Sequence, residues 1–266
     1  MAAIAGMGMF LGQGEFASAN SVCDLNKGIP VRWLGNTGIE LPVLSMRLDR
    51  PSNQNLLRRA YDAGIRYFDS AYSYQNGRNE EQLGRFFEGK RRDSFYVSTK
   101  GMFPYPLRGD FERVMLEKLD ISLKRLKIDF LDIYYTHNIQ LPEKITHERI
   151  LRFLQKIKTE GKARFIGFST DGQDPEIINA AVDSGIYDVG LINYNCRMKE
   201  LKANEEAIER AVRAGMGIIS MHSTEGESRS NDLAGLKWIW QNKNITTVIQ
   251  GVTNYNDLEE CLAITS

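Results

Sequence analysis

The chain has 266 residues, which suits one large domain, because α/β barrels often reach about 250 residues as a single unit. Its 34 basic and 34 acidic residues cancel, so nothing favours a nucleic-acid or an acidic-membrane partner. Cys23, Cys196 and Cys261 lie far apart, so we expect neither a zinc site nor a disulfide framework, and no metal.

Residues 1–27 differ in character from the rest of the chain. Residues 1–12 are apolar but too few to span a bilayer, and Ala17-Ser18-Ala19 has the small-x-small pattern of a signal-peptide cleavage site. No Lys or Arg precedes Lys27, so the basic start of such a signal is missing. We interpret residues 1–27 as an export-signal remnant or a disordered segment, which predicts an exported, periplasmic protein. The alternative is a hydrophobic helix packed on the domain of a cytoplasmic protein.

Residues 28–266 predict a single domain in which strands and helices alternate. Residues 32–34 and 39–41 flank a Gly/Asn-rich turn and predict a small β-hairpin. Continuously apolar runs, typical of parallel strands covered on both faces, predict strands at 42–46, 65–68, 95–98, 130–135, 165–168, 189–192, 217–221 and 247–249. Helical periodicity predicts helices at 55–63, 80–88, 110–126, 147–160, 175–183, 204–214, 232–240 and 257–264.

Eight strand–helix units without a long linker predict an α/β fold of the (β/α)8 TIM-barrel type, with the hairpin at its N-terminus and a short C-terminus. A doubly wound open sheet is the structural competitor. No G-x-G-x-x-G turn follows the first strand, so the sequence favours the barrel.

Ionisable side chains follow three successive predicted strands. Asp69 ends one strand with Tyr74 beyond it, Lys100 ends the next, and His137 follows the third. Because parallel strands of a barrel all end at one rim, we expect these four side chains to share one bowl. The opposing interpretation is that Asp69 caps a turn, Lys100 is a rim charge and His137 is a satisfied strand-end residue.

These four residue types together suit the reduction of a carbonyl group. A tyrosine hydroxyl has an ordinary pKa near ~10, and a nearby ammonium lowers that pKa by stabilising the phenolate. A carboxylate can keep the lysine charged and aimed at the phenol, and a histidine can polarise the substrate oxygen. In such a reaction a hydride reaches carbon while the oxygen gains a proton.

Six short segments match the pattern of a known family in order and spacing. They are Leu34-Gly35-Asn36-Thr37-Gly38, Asp69-Ser70-Ala71-Tyr72-Ser73-Tyr74, Ser98-Thr99-Lys100, Asp132-Ile133-Tyr134-Tyr135-Thr136-His137, Gly161-Lys162-Ala163-Arg164-Phe165-Ile166-Gly167 and Ile249-Gln250-Gly251. Through them the chain resembles the aldo-keto reductase family over residues 32–262, and in particular an exported branch of oxidoreductases. The resemblance implies a hairpin-plugged barrel, an extended NADPH across its top, and Tyr74 rather than Tyr72 as the general acid. It also implies catalytic roles for Asp69, Lys100 and His137.

The resemblance also implies a set of cofactor-binding positions, and several of them depart from the family pattern. Arg47 stands where a glycine-containing turn is usual beneath the nicotinamide. Thr170 replaces an asparagine, and Leu191 replaces a glutamine that grips the carboxamide. The predicted cofactor-binding residues are Ser169, Thr170, Leu191, Met221, His222, Gly251 and Thr253.

Two classes of function therefore remain open. The first is an NADPH-dependent reductase of a small aldehyde or ketone, with NADH as the alternative cofactor. The second is a regulatory or binding barrel that holds the cofactor weakly or not at all. A phosphate-binding isomerase or lyase is weaker, because only Gly251 resembles a phosphate loop. The long C-terminal loop of many relatives is missing, so we expect an open bowl that a second subunit of a homo-oligomer could cover.

Overall fold

The computed structural model describes residues 28–50, 52–172, 175–221 and 233–265. The interpretation of residues 1–27 as an export-signal remnant or disordered segment falls outside these ranges. Within them, the chain folds as the predicted alternation of strands and helices. None of the helices in these ranges is long and apolar enough to cross a bilayer.

The chain begins with the predicted hairpin, which closes one end of the barrel. Strands β1 (Val31–Trp33) and β2 (Glu40–Pro42) pair antiparallel, and one turn of 3-10 helix joins them. The connection ends at Gly38, whose φ of 70° suits a residue without a Cβ. Leu34, Ile39 and Leu41 are fully buried in the same cluster as side chains from the barrel interior. The hairpin is therefore a plug for the barrel floor.

In the described ranges, eight parallel strands form a closed barrel in the order β10-β3-β4-β5-β6-β7-β8-β9. Their bounds are β3 Leu44–Arg47, β4 Tyr67–Asp69, β5 Tyr96–Gly101, β6 Leu131–Thr136, β7 Ala163–Thr170, β8 Val189–Asn193, β9 Gly217–Met221 and β10 Thr247–Gly251. The helices are α1 Gln54–Asp62, α2 Arg78–Phe87, α3 Phe111–Leu126, α4 Pro142–Ile145, α5 Glu148–Thr159, α6 Pro175–Ser184, α7 Leu201–Arg213, α8 Leu233–Gln241 and α9 Tyr255–Ala263. The predicted barrel is confirmed, because pairing of β10 with β3 leaves no sheet edge open.

Side chains alternate between two apolar clusters along each strand, as the two-residue period of a strand requires. Tyr67, Ile133 and Val189 point into the barrel and pack above the hairpin plug. Phe68 and Tyr134, one residue further along their strands, belong to the larger cluster beneath the helices. This alternation decides which strand-end residues can reach the bowl.

The predicted elements differ from the structure mainly at their ends. Pro42 belongs to the hairpin rather than to the first barrel strand, because Pro42 pairs with Val31. Strand β7 continues to Thr170, two residues further than the apolar pattern indicates. The sequence analysis did not predict α4, a four-residue helix between β6 and α5.

Gly84 in α2 lies where two helices approach closely. A Cβ at Gly84 would stand 2.0 Å from the carbonyl oxygen of Arg125 in α3. We expect Gly84→Ala to lower the free energy of unfolding by about 1–3 kcal/mol or more, because the backbone must shift to accept the methyl group. Urea unfolding measures the change. Exposed Glu81 of the same helix gives the matched control Glu81→Ala, which should cost less than about 0.5 kcal/mol. A stabilised Gly84→Ala variant would contradict the close packing.

Candidate active site

Three neighbouring strands deliver the predicted catalytic residues to one rim. Asp69 is the last residue of β4, Lys100 is the fifth of six residues in β5, and His137 directly follows β6. The pairing register places Asp69 opposite Ser98 and Lys100 opposite Tyr135. Because these interior positions lie at the carboxyl ends of the strands, their side chains meet in the bowl.

Lys100 and Asp69 form an ion pair in which both side chains are completely buried. The Lys100 ammonium donates to Asp69 Oδ2 and to the carbonyl oxygen of Ser70, 2.7 Å away. The other carboxylate oxygen, Oδ1, accepts a hydrogen bond from Ser98 Oγ at 2.6 Å. Burying two charges is costly unless both are paired and hydrogen-bonded, and these contacts meet that condition.

A chain of hydroxyl groups supports the carboxylate from below. Tyr67 Oη lies 2.7 Å from Ser98 Oγ and 3.0 Å from Tyr135 Oη. An ionised carboxylate only accepts hydrogen bonds, so Ser98 donates to Asp69, Tyr67 donates to Ser98, and Tyr135 donates to Tyr67. Burial raises the pKa of both Tyr67 and Tyr135, which keeps their hydroxyl groups protonated.

Tyr74 stands beside this ion pair, on the loop between β4 and α2. The Lys100 ammonium lies 5.1 Å from the centroid of the Tyr74 ring. Burial raises the pKa of the Tyr74 phenol above its ordinary value, although Lys100 and Arg47 act in the opposite direction. The sequence analysis expected a lowered pKa; the ammonium does act in that direction, but desolvation outweighs it and the net change is upward. Tyr74 is therefore a protonated phenol, the form that can donate a proton.

The loop that carries Tyr74 is fixed to the helices behind it. Buried Glu80 accepts hydrogen bonds from Thr99 Oγ1 at 2.6 Å and from Arg125 at 3.1 Å. The same guanidinium lies 4.9 Å from the centroid of the Tyr72 ring. Tyr72 thus faces Arg125 and the helices, whereas Tyr74 faces Lys100. The role of Tyr74 rather than Tyr72 as the general acid stays a prediction.

His137 meets Tyr74 from the other side of the bowl. The two ring centroids are 5.6 Å apart, and the rings are nearly perpendicular at 81°. Burial, together with the positive charges of Lys100 and Lys144, lowers the pKa of His137 to about 3. Its Nδ1 is buried and has no hydrogen-bond partner among the described residues. A neutral imidazole with a free nitrogen can exchange a hydrogen bond with a substrate oxygen.

Ser169 and Thr170, two of the predicted cofactor-binding residues, end strand β7 next to the His137 loop. Ser169 Oγ accepts a hydrogen bond from the Asn138 amide at 3.0 Å, and the Ser169 carbonyl accepts one from Ile139 at 2.7 Å. Thr170 Oγ1 accepts from the Gly172 amide at 3.1 Å. Both residues are buried, and their hydroxyl groups accept hydrogen bonds from backbone amides of the loops that follow β6 and β7.

The remaining predicted cofactor-binding residues have different surroundings. Leu191 is fully buried, and Met221 nearly so, in the cluster inside the barrel. Gly251 ends β10 and pairs with Arg47, and Thr253 is exposed, with its hydroxyl 3.1 Å from the Asp257 carboxylate. His222 lies outside the described residues. The structure brings Met221 and Gly251 to the rim side of the barrel, and the role of the whole set stays a prediction.

Arg47 ends strand β3 and lies beside Gly251, the last residue of β10. Its guanidinium forms an ion pair with Asp49 at 2.9 Å, and a Cβ at Gly251 would lie 3.5 Å from Arg47 Nη2. The buried Nε of Arg47 has no hydrogen-bond partner among the described residues. An unsatisfied cationic donor beside a glycine fits an anionic ligand such as a nucleotide. The free Nε of Arg47 thus fits the anionic cofactor that the family resemblance implies, although the Arg47 side chain also takes up space beside Gly251.

Sequence reasoning missed the roles of the residues beneath the ion pair. Ser98 lies two residues before Lys100, Tyr67 two before Asp69, and Tyr135 two before His137. The two-residue period of a strand places each of them on the same interior face as the residue it supports. This two-residue spacing could have identified Ser98, Tyr67 and Tyr135 as the residues beneath the site, even without knowing which strands pair.

Comparison with known proteins gives one consistent result. The model of the aldo/keto reductase family matches residues 38–232. The chain is 35% identical over 156 residues to aldo-keto reductase yakc (NADP(+)) of Schizosaccharomyces pombe, covering 53% of this chain and 45% of that protein. It is 33% identical to L-glyceraldehyde 3-phosphate reductase of Escherichia coli, covering 52% and 44%. These alignments span less than half of each relative.

A solved structure shares the fold along almost the whole chain. The holo form of an aldo-keto reductase from Bacillus halodurans superposes with a TM-score of 0.73 at 18% identity. The superposition covers 88% of this chain and 90% of that one. At this identity the similarity establishes the barrel architecture alone.

The low pKa of His137 predicts a pH-dependent stability. Between about pH 6.5 and about 3, His137 takes up a proton in the unfolded chain but not in the folded one. The free energy of unfolding should therefore fall with decreasing pH, by at most about 1.4 kcal/mol per pH unit from this residue. In His137→Gln that contribution disappears, so urea unfolding between pH 7 and 4.5 should give a shallower decline for the variant. Equal slopes would contradict a neutral buried imidazole.

Proposed function

This chain belongs to the aldo/keto reductase family, and we propose that it is an oxidoreductase that reduces the carbonyl group of an aldehyde or ketone with NADPH. One observation carries the proposal. A buried, fully hydrogen-bonded Lys100–Asp69 pair lies beside the phenol of Tyr74, and the ring of His137 meets the same phenol edge-on. This arrangement holds a proton donor and a neutral hydrogen-bonding group around one point of the bowl.

Each residue of the set has a distinct task in this proposal. Tyr74 donates its proton to the carbonyl oxygen as that oxygen becomes negative. Lys100, 5.1 Å from the ring centroid, stabilises the phenolate that remains, and Asp69 fixes the position of Lys100. His137 orients the carbonyl oxygen through a hydrogen bond. When bound, the nicotinamide supplies the hydride that reaches the carbonyl carbon.

The choice of NADPH over NADH rests on the relatives. The name of the fission-yeast relative includes NADP(+). In this chain, Arg47 supplies a cationic donor at the edge of the bowl, and Met221 offers an apolar surface at its floor. We propose that these two residues, with Gly251 between the strands, contact the nucleotide. NADH remains the alternative.

A second candidate is a barrel that binds nucleotide weakly and acts through binding alone. Two observations favour it. The Arg47–Asp49 ion pair stands against Gly251, and Leu191, fully buried and apolar, cannot hydrogen-bond a carboxamide. In this case Tyr74, Asp69, Lys100 and His137 would be present without turnover.

Removal of the Tyr74 hydroxyl tests the catalytic proposal. We expect Tyr74→Phe to lower kcat for a simple aldehyde by about 10²–10⁴-fold, because the general acid is lost. Calorimetric titration should still give the wild-type Kd for NADPH, since the ring remains. Tyr72→Phe is the matched control on the same loop and should keep wild-type turnover, because Tyr72 faces Arg125. Full activity of Tyr74→Phe would reject Tyr74 as the acid.

Titration of NADPH and NADH into the wild type and Arg47→Gly separates the two candidates. The reductase proposal expects micromolar binding by the wild type and weaker binding by Arg47→Gly, because a cationic donor is lost. If Arg47 blocks the site, the wild type should bind only at millimolar nucleotide, and Arg47→Gly should gain at least tenfold in affinity. Exposed Arg50 gives the control Arg50→Gly, which should match the wild type.

A further inference from the structure

A large cavity lies next to the bowl, between the loops that follow β5 and β6. Its volume is about 680 Å³, within the usual range of small-molecule sites. Met102 and Phe103 line one side and come directly after the segment that carries Lys100. Asn138 lines the other side and is the residue after His137. A ligand in this cavity would therefore touch the segments that hold two of the proposed catalytic residues.

The cavity walls carry an excess of positive charge. Arg108, Arg113, Lys118 and Lys144 line it, against the single carboxylate of Asp110. That carboxylate is already engaged, because it accepts from the Arg113 amide at the start of α3 and lies 3.5 Å from the Arg113 guanidinium. Arg113 also pairs with Glu117. Three cations, Arg108, Lys118 and Lys144, remain without a salt bridge in the described part of the chain.

Of these three cations, Lys144 is the one whose charge acts on His137. It is half-buried on the short helix α4, where desolvation lowers its pKa. Its charge reaches His137, since it contributes to the low pKa of that imidazole. A half-buried ammonium without a carboxylate partner loses hydration without compensation, and an anionic ligand would supply that compensation.

Some of the apolar residues that line the cavity are open to solvent. Met102 is 56% exposed and Tyr105 is 44% exposed, although both are large hydrophobic side chains. Exposed apolar groups beside unpaired cations suit a ligand that has an apolar body and an anionic end.

We propose that this cavity binds the anionic end of the substrate, so that the preferred substrates are aldehydes or ketones that carry a carboxylate or a phosphate. The carbonyl group lies between Tyr74 and His137, and the anion lies near Lys144, with Arg108 and Lys118 adding to the field. This inference rests on the proposed function and deepens it, because it names the substrate class of the same site.

A matched series of aldehydes tests the inference. 4-Methylbenzaldehyde, 4-carboxybenzaldehyde and 4-formylphenyl phosphate share the reacting group and differ in the distal charge. We expect kcat/KM to be at least about tenfold higher for an anionic aldehyde than for the methyl compound, as one charged hydrogen bond would give. In Lys144→Met, which keeps an apolar stem of similar length, this ratio should fall by at least about tenfold.

The control variant is Lys124→Met, because Lys124 is an exposed lysine of α3 that does not line the cavity. Its ratio should equal that of the wild type. Arg108→Met, at an exposed position of the cavity edge, serves as a second variant if Lys144→Met does not fold. A wild type that shows no preference for charge, or a preference that survives in the cavity variants, overturns the inference.

Binding measurements separate failure of the inference from failure of the proposed function. If none of the three aldehydes is reduced, the reductase proposal fails. Calorimetric titration of the same compounds then shows whether the cavity binds an anionic group. Binding of an anionic aldehyde that weakens at least about tenfold in Lys144→Met supports the anion site. Absence of such binding overturns it. The tighter of the two anionic compounds shows whether the site suits a carboxylate or a phosphate.

Discussion

The ion pair between Lys100 and Asp69 is the constraint on which the rest of this site depends. Neither side chain is exposed, so both charges have lost their hydration and must be compensated by the protein. The compensation comes from Ser98, from the Ser70 carbonyl, and through Ser98 from the two tyrosines beneath. Each of these groups comes from β4, β5 or β6 or from the residue after one of them. The ion pair therefore requires the three strands to keep their register.

The same burial explains the protonation states around the bowl. Desolvation raises the pKa of Tyr74, against the effect of Lys100, and it lowers the pKa of His137, in the same direction as Lys100, so both groups stay neutral. Lys100 thus carries a positive charge whose position is set by Asp69, while Tyr74 and His137 are neutral and able to donate or accept hydrogen bonds. In the proposed reaction, this ammonium would stabilise the negative charge that develops on the Tyr74 oxygen as its proton leaves.

The sequence was sufficient to predict the barrel and the shared rim of Asp69, Lys100 and His137, because both follow from the strand pattern, while the catalytic role of these residues stays a prediction. Near-continuous apolar runs identified eight strands, and the topology of a parallel barrel then placed Asp69, Lys100 and His137 at one rim. The direction of the Tyr74 pKa was not predictable in the same way, because it is a balance between burial and charge. To predict the direction of the pKa change, one must know how deeply the Tyr74 ring is buried and that it lies 5.1 Å from the Lys100 ammonium. The helix α4 was missed because four residues carry no periodicity, and Lys144 was missed with it.

The departures at the cofactor edge illustrate a different limit of sequence reasoning. A sequence shows that Arg47 is large and charged, which suggests obstruction of a nucleotide. The structure adds that its guanidinium is paired with Asp49 while its buried Nε keeps a free donor. The Arg47 side chain can therefore both obstruct a nucleotide and attract its negative charge. Its net effect on nucleotide affinity depends on which of these two contributions is larger. Leu191 has no such ambiguity, because an apolar side chain within the interior cluster offers no polar contact. Any affinity for a nicotinamide would then come from other groups, such as Met221 on the adjacent strand β9 and the residues of the paired strands β3 and β10.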